Sequence, residues 1–327
     1  MGRFEIAIDD DFQLAASAEF LRGFRPAAGG AAGQGTRLAL GLLADGTFEP
    51  VRVELEQQGG ALRGTVSGAD ATAVRAQVAR MLSLDVDGAG WAAVLRRDPV
   101  VAALQARFPG FRPVCFPSPY EAAVWGILAH RISMVQASAI KARLAREHGT
   151  VCGLGPDEVL VVPAPARLLE VETFAGLAAE KLRRLHGIAE VALTGRLDAE
   201  RLRAMPEDDA LAELSTLHGV GPWTAAHILY RGAALADALA GGEPRVLRAA
   251  KIAYDLPGDP SPAQLAELAE GWRPYRMWVA ILLARSIAGT PAWNARGDGE
   301  ARGKGGVRPA RRGGATPPAS RRGRARG

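Results

Sequence analysis

Up to about residue 115, apolar and polar positions alternate with a period of two. The runs are "FEIAI", "RLALGLL", "FEPVRVEL" and "ALRGTV", separated by glycine-rich breaks, and each predicts a short strand. "ATAVRAQVARMLSL" changes to helical spacing, and shorter helical pieces run on to Phe108. Strands followed by helices predict an antiparallel α+β domain over residues 1–115.

From Phe116 the pattern is helical only. In "SPYEAAVWGILAHRISMVQASAIKARLAREHG", Trp125, Leu128, Ile132, Ala139 and Leu144 recur on one helical face. Ser118 reads as its N-cap, Pro119 as its first helical residue, Glu121 as the partner in a capping box and Gly149 as its stop. Further helices are expected from about residues 165, 177, 199, 207, 223, 245, 262 and 274. Residues 116–290 therefore read as an all-α region, with no period that would make a solenoid.

One corner interrupts this pattern with almost no side chains. "MPEDDALAELSTLHG" is a helix started by Pro206, with Glu207, Asp208 and Asp209 at the positive end of its dipole and Leu211, Leu214 and Leu217 on one face. Gly219-Val220-Gly221 stops it, and Pro222 starts the next helix at once. Such a turn leaves backbone N–H groups open beside a helix start, which suits a nucleic-acid phosphate. Val220 is expected to pack inward. A bare G-x-G is usually an ordinary helical hairpin; the fuller string L-x-G-V-G-x-x-T-A, with Thr224 in it, favours phosphate binding.

Composition narrows the class. The chain has 327 residues, 48% of them hydrophobic, enough for two domains with cores. No apolar run reaches membrane-spanning length, and the acidic start "MGRFEIAIDDDFQ" argues against a signal peptide. Two cysteines, Cys115 and Cys152, are too few for a disulfide framework or an iron–sulfur cluster. A soluble, cytoplasmic protein is expected. The formal charge of +5 is unevenly placed: from Pro291 onward ten Lys or Arg face two acids, which leaves residues 1–290 slightly negative. Residues 291–327, rich in Gly, Pro and Arg, read as a disordered basic tail, either a plain solvated end or a salt-sensitive tether to a polyanion.

At this point the motifs resemble a known family. "LHGVGPWTAAHILYRG" is similar to the helix-hairpin-helix element, spanning 207–232 here, of the DNA glycosylase superfamily, in its bacterial alkylpurine (3-methyladenine type II) branch. "FPSPYEAAVWGILAHRIS", "KLRRLHGIAEVALTGRL" and "AEGWRPYRMWVAILLARSI" resemble other segments of that branch, in the right order. The resemblance covers roughly residues 3–290. It implies an α+β protein: an N-terminal antiparallel α+β (TBP-like) domain, then an all-α glycosylase region. It also implies a monofunctional enzyme that hydrolyses damaged, alkylated purines from duplex DNA, acting as a monomer.

The resemblance assigns roles residue by residue. Gly219, Val220, Gly221 and Thr224 would grip the DNA backbone. Trp223 falls where the family has a pocket wall, although core packing is the alternative. A lysine near this position marks the branches that form a Schiff base, so no lyase step is expected. His227 matches a position that is often aromatic, or is a satisfied core histidine. His130 and Arg131 fall where the family often has a Gln and a wedge residue; Arg131 is either a duplex plug, a phosphate partner or a surface arginine. Ala284 replaces a stacking tryptophan, and Trp278 reads as core.

The family's catalytic aspartate falls on Glu243 in "RGAALADALAGGEPRVLRA". Glutamate keeps the charge but sets it about 1.5 Å further out, and a ~1 Å displacement can cost on the order of 100-fold in rate. The alternatives are that Glu243 is only a helix-start acid before Pro244, or that the chain binds damage without excising it. Asp237 reads as a structural loop residue. No resident metal or cofactor is expected, apart from a monovalent cation that the resemblance implies at the hairpin carbonyls.

Overall fold

A computed structural model describes residues 1–9 and 11–294. The period-two segments form β1 (Gly2–Ala7), β2 (Ala31–Gln34), β3 (Arg37–Leu43), β4 (Pro50–Gln58) and β5 (Ala61–Val66). They make one antiparallel sheet in the order β1-β5-β4-β3-β2. Val53 pairs with Leu40 on one side and Val66 on the other, so the apolar face runs across three strands. Helices α1 (Leu14–Gly23) and α2 (Ala71–Met81) cover that face through Leu14, Ala18, Leu21, Val74 and Val78. Asp70 starts α2 by accepting the N–H groups of Thr72 and Ala73.

The helical part begins with α3 (Trp91–Arg97), α4 (Pro99–Arg107), α5 (Pro119–Ala129) and α6 (Met134–His148). A small hairpin of β6 (Thr150–Cys152) and β7 (Val159–Val161) follows, then α7 (Pro165–Leu169), α8 (Ala179–Leu193) and α9 (Ala199–Ala204). The chain continues through α10 (Glu207–Ser215), α11 (Pro222–His227), α12 (Pro244–Ala253), α13 (Pro262–Ala269), α14 (Arg276–Ser286) and α15 (Pro291–Asn294). Leu128, Leu144, Leu185, Leu214 and Ile228 form one core; Val246, Leu265, Trp272, Trp278 and Leu283 form another.

Four expectations change. First, the core does not divide at residue 115. Trp91, Val94, Val101 and Leu104 of α3 and α4 belong to the C-terminal core. Asp98, which caps α4, also accepts the Tyr254 hydroxyl at 2.6 Å and the Trp272 N–H at 3.1 Å, tying these helices to the distant C-terminal segment. Second, region 116–290 is not purely helical, because β7 lies against β3, and the Leu160 N–H donates to the Gly29 carbonyl at 2.6 Å. Third, the helix expected over 118–149 is two helices: residues 130–133 break it, and Ser133 with Gln136 supplies a true capping box for α6.

Ser118 does cap α5, but Glu121 does not close the box. Its carboxylate turns to the Leu43 N–H at the end of β3, 3.4 Å away, in the seam between helix and sheet. Burial there pushes its pKa up to about 7. The fourth change concerns the tail: residues 291–294 form α15, and the rest of that expectation, 295–327, lies outside the described residues.

Candidate active site

The corner between α10 and α11 is built by backbone geometry. Gly219 sits at φ +83, where side chains are strained, and a Cβ on it would meet Arg184 Cδ at 2.4 Å. Val220 turns into the core, and its N–H donates to the Leu217 carbonyl at 2.9 Å. Gly221 caps α11 with open space beside it, and Pro222 occupies the first helical position. After α11 the chain widens into a π-type turn over Ile228–Gly232. Gly232 is needed there, since a Cβ would lie 2.7 Å from Pro119 Cα of α5.

A basic surface lies beside this corner. His130 and Arg131 are exposed in the loop between α5 and α6, and Arg131 takes φ +58. Partial burial, together with the charges of Arg131, Arg184 and Lys181, lowers the His130 pKa, so α8 brings its cations to that loop. Lys181 also donates to the Leu128 carbonyl at 2.8 Å, and Arg184 pairs with Glu180 at 3.0 Å.

The residues following the corner form a row of rings ending in an acid. Trp223 is 49% exposed and stacks on His227, with centroids 5.1 Å apart and planes 9° from parallel. Phe116 meets His227 edge-on at 5.0 Å. The His227 Nε2 is shielded from solvent and has no partner. Burial, reinforced by the Arg231 charge, pushes its pKa down to about 3, so the imidazole is neutral near pH 7.

Glu243 caps α12 in position only: its side chain makes no cap hydrogen bond. Instead one carboxylate oxygen accepts the Trp223 indole N–H at 3.0 Å. The other lies 3.4 Å from Arg245 Nη1. The Glu243 side chain is 19% exposed, so it is within reach of solvent rather than sealed in the core. Arg245 extends the group further, since its guanidinium carbon stands 4.5 Å from the centre of the Trp293 ring and Nη2 lies 3.8 Å from Met134 Sδ. Arg248 holds the helix carrying Trp293 by donating to the Ala292 carbonyl at 3.2 Å. Among the described residues, no group of three or more His, Cys, Asp or Glu could hold a metal ion.

No family model matches the chain. DNA-3-methyladenine glycosylase of Bacillus subtilis is 25% identical over 209 residues, 62% of this chain and 69% of that protein. DNA-3-methyladenine glycosylase 2 of Escherichia coli is 30% identical over 185 residues, 54% of this chain and 61% of that protein. The chain thus spans about three fifths of the E. coli relative and somewhat more of the B. subtilis one. The 3-methyladenine DNA glycosylase structure from Archaeoglobus fulgidus superposes with a TM-score of 0.70 at 19% identity, covering 88% of this chain and 98% of that one. These relatives support the resemblance to the helix-hairpin-helix DNA glycosylase superfamily. Both curated relatives are 3-methyladenine glycosylases, which supports the likeness to that branch.

Among glycosylase residues expected from the sequence, Trp223, His227 and Glu243 come together, and Gly219 and Gly221 lie two to four residues before the indole. The Thr224 side chain does not join them: it is 7% exposed and its methyl lies against Gly126 of α5, so it packs the helix and leaves only the backbone for a ligand. Val220 offers only its backbone to a ligand, because its side chain is buried. Trp278 is core, packed between Trp91 and Tyr275, and Ala284 lines the same core. Asp237 is structural, held by Arg273 at 2.6 Å and Arg276 at 2.9 Å.

Sequence reasoning missed Arg245, Phe116 and Trp293. Arg245 lies two residues beyond Glu243, and its pairing could have been suspected from "GEPR". Trp293 sits in "TPAWN", a proline-started turn at the edge of a compositionally disordered stretch, where the tail composition masked it.

No helix among the described residues is long and apolar enough to cross a membrane.

Proposed function

We propose that this protein is a monofunctional DNA glycosylase that hydrolyses the N-glycosidic bond of damaged, alkylated purines in duplex DNA. One observation supports this above the others: immediately after the hairpin, the Trp223 indole and the Glu243 carboxylate meet at 3.0 Å. The base must leave the stack to be cut, and an exposed aromatic face backed by a neutral His227 suits a flipped purine. The bond from C1′ to the base nitrogen breaks with its electron pair going to the base, and positive charge builds on the sugar. A carboxylate beside that carbon stabilises the charge and takes a proton from the attacking water. A cationic lesion leaves as a neutral base and needs no separate acid.

Glutamate in place of aspartate is accommodated here. The extra methylene carries the carboxylate from the start of α12 to the indole N–H. Hydrolysis without a lyase step follows from Trp223 standing where imine-forming branches carry lysine. The DNA backbone would lie on the Gly219–Gly221 corner, flanked by His130 and Arg131. A monovalent cation at this corner would be held by backbone carbonyls of the hairpin. One protein surface suffices, so a monomer is expected to act.

A second reading has an observation of its own: both Glu243 oxygens have partners in the absence of DNA, as a damage-binding protein without chemistry would allow. Incubation with duplex containing 3-methyladenine or hypoxanthine, scored for abasic sites, separates the two. The enzyme makes abasic sites and Glu243→Gln loses the activity by about 100-fold or more. Tight lesion binding with no abasic sites in wild type would establish the second reading instead.

A further inference from the structure

A cation already stands beside Glu243. Arg245 lies between Glu243 and the face of Trp293, the seat a positively charged alkylpurine would seek, with a carboxylate on one side and an aromatic ring on the other. Its contacts there are long: 3.4 Å to Glu243 and 3.8 Å to a methionine sulfur, while Nε is buried with no partner. A guanidinium has five donors in a fixed fork, and most of this one's capacity is unspent. The surrounding charge reinforces the effect. Arg231 acts on His227 with a like charge, and Asp237, the other acid of the same loop, is already held by Arg273 and Arg276.

Building on the glycosylase reading, we infer that Arg245 is a specificity-determining residue that turns this site toward electrically neutral damaged purines and against cationic ones. A cationic base entering the cleft meets a fixed like charge and a carboxylate already partly neutralised. A neutral purine presents ring nitrogens and carbonyls that the unspent guanidinium donors can bind. The same contact serves the bond-breaking step. When a neutral purine departs, the electron pair of the broken C1′–N bond leaves it anionic, and the guanidinium stabilises that charge without giving up a proton. Solvent then protonates the free base. A cationic lesion departs neutral and gains nothing from Arg245.

Duplexes with one hypoxanthine or one 7-methylguanine, each as the 2′-fluoro nucleotide, test this. The electron-withdrawing fluorine opposes positive charge on the sugar, so binding is measured without cleavage. Full-length wild type is expected to bind the neutral lesion more tightly, and Arg245→Ala to shift the neutral-to-cationic affinity ratio by about tenfold toward the cation, the scale of one partly screened charge contact. Arg245→Lys keeps the charge and should hold the ratio within about threefold of wild type. In parallel, single-turnover excision of the non-fluorinated lesions should show the same shift in rate ratio.

The inference is overturned if Arg245→Ala leaves the ratio unchanged, or weakens both lesions equally, as a residue that merely props up Glu243 would. Should that variant unfold, Trp293→Ala, which frees the guanidinium from its ring, must move the ratio instead. Absence of base release from wild type, with the binding ratio as expected, would defeat the glycosylase reading and leave this one standing.

Discussion

Two carboxylates six residues apart in one loop have opposite fates. Asp237 is held by two guanidiniums at 2.6 and 2.9 Å, and Arg276 also reaches its backbone carbonyl. Glu243 has an indole N–H at 3.0 Å and a guanidinium no nearer than 3.4 Å. The first acid has committed its lone pairs to fixing the loop against α14. The second is positioned by a neutral donor and shares its charge with a single, more distant guanidinium. Sequence alone gives both the same formal charge; the number and quality of their partners separate an acid locked into the fold from one left loosely held.

The largest expected effect tests Glu243 by length. Glu243→Asp restores the family's residue type but withdraws the carboxylate about 1.5 Å, out of reach of an indole N–H placed for glutamate. Base release is expected to fall by about 10- to 100-fold, with thermal stability unchanged. Activity equal to wild type would mean that the indole contact does not set the carboxylate's position. Asp237→Asn should do the reverse. Its ion pairs are partly open to water, Asp237 being 30% exposed and Arg273 47%. The loss is therefore on the order of 1–2 kcal/mol of stability, read as a drop of a few degrees in Tm. Base release should change by less than about threefold, and a larger fall would mean that Asp237 takes part in the chemistry.

The same distinction explains which parts of the molecule were legible. The strands, the hairpin and most helix starts follow from local rules: Val51, Val53 and Leu55 alternate, and proline marks the starts of α5, α11, α12 and α13. Glu121 satisfied the capping-box spacing yet went to the Leu43 N–H, because a partner 78 residues away in the seam outcompeted the local one. The β6–β7 pair, three residues each, is too short to announce itself and owes its place to β3. In the site, Trp223 and Glu243 were found by position along the chain. Arg245, Trp293 and Phe116 were not, because their meaning lies in contacts between segments far apart in sequence.

The smallest effect concerns His227, the third group of the site with an unspent valence. Its pKa is depressed from the ordinary value near 6.5 to about 3 by burial and then by Arg231. Below about pH 6.5 the unfolded chain takes up a proton that the folded ring refuses. This residue therefore costs stability progressively as the pH falls toward 3, and contributes nothing above about 7. Glu121, raised to about 7, has the opposite slope, stabilising the fold as the pH drops. Comparing wild type with His227→Phe cancels that contribution, since both carry it. Phenylalanine preserves the stack on Trp223 and the edge contact with Phe116 but cannot be protonated. The variant is thus expected to resist acidification better, its urea midpoint gaining on wild type between pH 7 and 4.5. A gap that stays constant over this range would show that the folded ring does accept a proton. The neutral backing of the Trp223 ring would then be lost, and with it the contrast between a charged acid and the uncharged rings beside it.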